Sequence, residues 1–121
     1  MAKRNSFFSS LKHALRGIGV VSRTERNFRI QIIVGVLILC AAIIFQVRTW
    51  EFILLILLVS SVLVLELFNS VIERMADGLK PRLQPIVRDI KDLMAGAVLV
   101  VAVTSVVIGF IIFAPYFQSL I

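Results

Sequence analysis

Three long apolar runs constrain this chain more than any other feature. Residues 30–46 and 93–113 carry no charge at all, and residues 52–72 carry one acid, Glu66. A helix rising ~1.5 Å per residue crosses a hydrocarbon core of ~30 Å in roughly 20 residues, so each run can span a bilayer, the first at the short end of the range. Backbone in lipid must satisfy its own hydrogen bonds, which excludes irregular structure at that depth. With 60% of its 121 residues hydrophobic and a mean hydropathy of +1.01, the chain is too apolar for a soluble domain of its size. The expected fold is an all-α membrane protein of a single domain, 1–121, with spans at about 30–46, 52–72 and 93–113.

The charges mark the orientation. Seven of the thirteen cations precede residue 30, Arg48 stands alone between the first two runs, and Arg74, Lys80, Arg82, Arg88 and Lys91 lie between the second and third. No charge follows Asp92. Cations gather on the cytoplasmic side of membrane proteins, which puts the N-terminus and the 73–92 segment inside and the 46–51 turn and the C-terminus outside. Trp50 and Tyr116 suit the outer interface. Cations that punctuate apolar runs do not make a phosphate-tracking stripe, so no nucleic acid partner is expected. The lone Cys40 allows no intrachain disulfide.

The spread of cations and the late start of the first run argue against a cleaved signal peptide. Within residues 5–21, Phe7, Phe8, Leu11, Leu15 and Ile18 recur at helical spacing, with Lys12 and Arg16 off that stripe. This segment reads as an amphipathic helix lying on the inner face of the membrane.

The polar residues of the second run carry the chemistry. At about 100° per residue, Glu66, Asn69, Glu73 and Asp77 fall within about 80° of arc on one helix face. An acid in hydrocarbon is costly and marks function by default. A second cluster, Asp89-Ile90-Lys91-Asp92, opens the third run at the same inner level, and Glu25 is the only acid among the first 50 residues. Carboxylates with open oxygens suit Mg²⁺, which is bound by one or two of them together with substrate phosphates, and lysine suits phosphate as a point charge. A carboxylate set deeper can take a proton from a lipid hydroxyl. The sequence has no glycine-rich phosphate loop, and its only histidine is His13. A rival reading is a small proton-coupled exporter, or an ion-conducting oligomer, that uses Glu66. Clustering of the acids at one level, beside a cation-rich segment, favours chemistry at one face.

The pattern Glu66-x-x-Asn69-x-x-x-Glu73-x-x-x-Asp77, followed by Lys91-Asp92 and Ala95-Gly96-Ala97-Val98, resembles the small prokaryotic diacylglycerol kinases, a family that includes the undecaprenol kinases. Glu25-Arg26-Asn27-Phe28-Arg29 resembles the signature before their first span, and Leu11–Gly17 their surface helix. The resemblance runs over about residues 6–115. It implies an integral homotrimer of the bacterial cytoplasmic membrane, with active sites shared between subunits. It implies ATP-dependent phosphorylation of a lipid alcohol, undecaprenol or diacylglycerol. Glu66 would be the catalytic base, Glu25 and Glu73 would hold Mg²⁺ and ATP, and Asn69, Lys91 and Asp92 would line the nucleotide site. The polar face of the second helix would meet lipid in a lone chain, which is a reason to expect an oligomeric bundle with the site at a subunit interface.

Overall fold

The computed structural model describes residues 6–79, 82 and 84–121; Lys3, Arg4 and Lys80, three of the cations used for orientation, lie outside them. Four helices account for nearly all of these residues: α1 (Ser6–Thr24), α2 (Arg26–Ile44), α3 (Thr49–Leu79) and α4 (Gln84–Leu120). No strand occurs among the described residues. The helices α2, α3 and α4 are each long and apolar enough to cross a membrane.

The helices do not end where the apolar runs end. The 31 residues of α3 and the 37 of α4 extend for about 46 and 55 Å, well beyond the thickness of the hydrocarbon. Hydropathy changes at the interface, but nothing there stops a helix, and no proline or glycine interrupts α3 before Gly78. The cation-rich segment between the second and third apolar runs is therefore mostly helical, with Arg74 on α3 and Arg88 and Lys91 on α4. Asp89 and Asp92 consequently sit beyond the first turn of α4, where the helix dipole has little hold on them.

One residue separates α1 from α2. Glu25 is extended (φ −120°, ψ 115°), yet its N–H still bonds the Val21 carbonyl at 2.9 Å and its carbonyl accepts from the Arg29 N–H at 3.3 Å. Arg29 turns back so that Nη1 donates to the carbonyls of Ser22 and Arg23 at 2.9 and 3.0 Å, satisfying the exposed end of α1. The chain thus leaves helical geometry at one residue, whose own N–H and carbonyl stay hydrogen-bonded. The aromatic and aliphatic face of α1 remains open, with Phe7 and Phe8 more than 70% exposed.

At the opposite end, α2 closes through Gln46, whose φ of 55° is left-handed, and Gln46 N–H and Val47 N–H bond back to the carbonyls of Ile43 and Ala42. Glu51 then caps α3. Its Oε1 accepts from the Arg48 N–H at 3.0 Å, as an acid three residues into a helix commonly does. The same oxygen accepts the Tyr116 hydroxyl of α4, which joins the start of α3 to the far end of α4. Glu51 is buried as a result. Nearby, Ala42, Leu55 and Ile112 form a buried apolar cluster, flanked by Phe52, Ile108 and Phe113.

Between the ends, α3 is the common partner. Gly35 of α2 lies so close to α3 that a Cβ there would come within 2.6 Å of Val59 Cγ1. The backbones of α2 and α4 pack on α3 but do not approach each other. This leaves an apolar groove of about 580 Å³ with Leu55, Leu58, Val59 and Val62 of α3 among its lining residues.

Candidate active site

The polar face of α3 is graded in depth. Glu66 is 6% exposed and Ser70 1%, Asn69 is half-buried, and Glu73 and Asp77 are exposed. Two hydrogen bonds run along this face. Ser70 Oγ donates to the Glu66 carbonyl at 3.1 Å, and Arg74 Nη1 donates to the Ser70 carbonyl at 3.4 Å. The single chain therefore already buries Glu66, which corrects the expectation that this carboxylate needs a second subunit to leave lipid.

Arg74 ties this face to the joint between α1 and α2. Its Nη1 lies 3.1 Å from Glu25 Oε2, and its Nη2 donates to Thr24 Oγ1 at 3.3 Å. Glu25 and Glu73 both act electrostatically on Glu66, so a carboxylate from the joint between α1 and α2 shares one neighbourhood with two from α3. Lys91 reaches across from α4 to Asp77 Oδ1 at 3.1 Å, which ties the N-terminal part of α4 to α3. Asn69 and Glu73 make no hydrogen bond or ion pair among the described residues, and Asp92 is exposed and equally unengaged.

Arg74, Thr24 and Ser70 escape a reading based on acids alone. Ser70 does lie in the same arc as Glu66 and Glu73, and Arg74 follows Glu73 directly. What the sequence does not reveal is the partner of Arg74, which is 49 residues away.

The donor set fits a hard divalent cation. Glu25 gives only Oε2 to Arg74, and Glu73 is solvent-facing, so carboxylate oxygens of both remain open. Among the described residues no three acids, histidines or cysteines gather into a closed metal cage.

The groove continues this face outward. Leu55, Val59 and Val62 fall within about 60° of arc, in line with Glu66. Val62 lies one helical turn from Glu66, so an apolar trough runs along α3 and stops just short of a buried carboxylate.

Comparison with known proteins decides the family. The prokaryotic diacylglycerol kinase family matches residues 12–113. The chain belongs to that family. It is 38% identical over 111 residues to an undecaprenol kinase of Bacillus subtilis, covering 92% of this chain and 90% of that one. It is 31% identical over 112 residues to a diacylglycerol kinase of Synechocystis sp., covering 92% of this chain and 64% of that longer relative. Family membership makes the protein a lipid kinase and removes the exporter reading. Three apolar helices make it a multi-pass membrane protein.

Proposed function

We propose that this kinase transfers the γ-phosphoryl group of ATP to the hydroxyl of a membrane lipid alcohol at the cytoplasmic face of the bacterial inner membrane, with its N-terminus cytoplasmic. The observation that carries the proposal is the alignment of the apolar groove with Glu66 on one face of α3. A hydrocarbon tail lying along Leu55, Val59 and Val62 presents its hydroxyl at the level of Glu66. The undecaprenol kinase relative, which matches at higher identity and over more of its length, supports a polyprenol as the first acceptor to assay.

Glu66 removes the proton as the lipid oxygen attacks. The new bond is lipid oxygen to γ-phosphorus, the bond broken is γ-phosphorus to the bridging oxygen of ADP, and the proton passes to the Glu66 carboxylate. Burial suits this role, because a carboxylate in a dry site holds few competing waters. Glu25 and Glu73 would hold Mg²⁺, which neutralises phosphate charge when bound. Asn69 would bind the nucleotide through its amide, and Lys91 through its ammonium group. Asp92, outside the Lys91–Asp77 pair, would contact the nucleotide from the exposed side of α4.

We also propose that the working unit is a homotrimer with sites shared between subunits. Large exposed apolar side chains remain along all three spans, and they leave ample surface for helix packing between copies.

The test is phosphate transfer by purified protein in detergent, with MgATP and either undecaprenol or diacylglycerol. Radiolabel from the γ-position on a lipid product is expected. Label on neither lipid would overturn the proposal.

A further inference from the structure

The first helix carries a surface that the catalytic reading does not use. Phe7, Phe8, Leu11, Leu15 and Ile18 form an apolar face, each residue between 43% and 73% exposed. At about 100° per residue, Lys12, Arg16 and Arg23 fall within about 40° of arc on a single flank of that face, and all three are exposed. His13 lies on the helix face opposite the stripe. Arg23 folds back along the helix. Its Nη1 lies 3.2 Å from where a Cβ on Gly19 would be, so the absence of a side chain at Gly19 lets the guanidinium lie down in line with Arg16 and Lys12.

A broad apolar face with cations along one edge has one occupant that satisfies both parts. A leaflet containing anionic phospholipid buries the rings and supplies phosphate oxygens at the depth of the cations. A soluble acidic partner would leave the phenyl rings in water. The leaflet nearest to α1 is the one at the N-terminal end of α2, a candidate membrane span that α1 joins through Glu25. The helix is also coupled to the site. One extended residue, Glu25, joins it to α2, Arg29 ties its last carbonyls, and Arg74 holds both Thr24 and Glu25.

We propose that α1 is a sensor of anionic phospholipid headgroups: Lys12, Arg16 and Arg23 seat it on a negatively charged leaflet, and this seating sets the position of Glu25 and the rate of transfer. The effect on rate rests on the lipid kinase reading above; the seating does not. Each cation near an anionic surface favours binding by about fivefold. Salt should weaken the effect through screening.

The experiment uses the full chain in vesicles of phosphatidylcholine alone or with about 30 mol % phosphatidylglycerol, a surface negative enough to attract a polybasic segment. A Cys40→Ala protein carrying an environment-sensitive fluorophore on Phe7→Cys reports burial of α1 by its protection from an aqueous quencher. Anionic lipid should raise protection, with the surface equilibrium shifted by at least about tenfold, and Lys12→Gln/Arg16→Gln/Arg23→Gln should lose that response. The conservative Lys12→Arg/Arg16→Lys/Arg23→Lys protein should keep it, which separates charge from packing. In the same vesicles, initial rate should rise with anionic lipid in the unmodified chain and stay flat in the triple Gln variant. A triple Gln variant whose α1 responds to lipid charge like the original would overturn the sensor. A probe that responds while the rate does not would overturn the coupling to Glu25. Absence of phosphate transfer in every vesicle would instead overturn the kinase proposal, and the probe would still decide whether α1 reads lipid charge.

Discussion

Arg74 holds Glu25 at 3.1 Å across 49 positions of sequence, and the same guanidinium reaches Thr24 at the end of α1. The pair is partly solvated, so its direct contribution to stability is small, about 0–1 kcal/mol. Its effect is positional. Arg74→Gln should lower the rate by more than about tenfold, as misplaced reactive groups do, while thermal stability in detergent changes little. Glu25→Gln/Arg74→Gln should be no slower than Glu25→Gln alone, because residues acting as one unit are not additive. Full additivity in that cycle would separate the two roles.

Glu66→Gln keeps the size and polarity of the side chain and removes the base. Transfer should fall by at least about a hundredfold, the scale expected for a lost general base. ATP binding, followed by equilibrium titration, should be unchanged. Mixing this protein with Lys91→Ala before reconstitution should restore part of the activity if each site draws on two chains. No recovery would place both residues in one chain.

Magnesium dependence tests the open carboxylates. Glu25→Gln and Glu73→Gln should each raise the Mg²⁺ concentration needed for half-maximal rate, since each removes one hard oxygen donor of full charge. A half-maximal concentration unchanged in both variants would take the metal away from these residues.

The crossing of α2 and α3 depends on one missing side chain. A Cβ at Gly35 would lie 2.6 Å from Val59 Cγ1, and a valine in a helix has little rotamer freedom with which to yield. Gly35→Ala should therefore destabilise by ~1–3 kcal/mol, the usual cost of overpacking. Adding Val59→Ala should recover most of the loss. The denaturation midpoints of the single and double variants decide between local crowding and a general defect.

Where α3 begins, Tyr116→Phe takes one hydrogen bond from the Glu51 carboxylate and leaves the Arg48 N–H bond in place. A charged group that loses a hydrogen-bond partner is destabilised. Stability should fall while the rate per folded molecule stays near the original. A selective loss of rate with unchanged stability would tie the Glu51–Tyr116 pair to catalysis.

The sequence makes the spans legible because hydropathy and length alone decide them. It also makes the polar face of α3 legible, because Glu66, Asn69, Glu73 and Asp77 obey a helical period inside an apolar run. Helix ends are less so. Past Ile72 the chain turns polar while the backbone stays helical to Leu79, and the start of α4 at Gln84 precedes the apolar run for the same reason. The contacts of Arg74 and of Glu51 are long-range, and no local spacing encodes them. The burial of Glu66 within one chain is likewise a product of packing that periodicity does not carry.

A joint of one residue has no slack. Adding or deleting a single residue beside Glu25 would turn α1 by about 100° about its own axis. Phe7, Phe8 and Leu11 would then roll toward water, or Glu25 would swing away from Arg74. At this point the chain is constrained in length as strictly as in residue identity. A fusion or tag is better carried at the C-terminus, beyond Leu120, than inserted anywhere between Ser22 and Arg29.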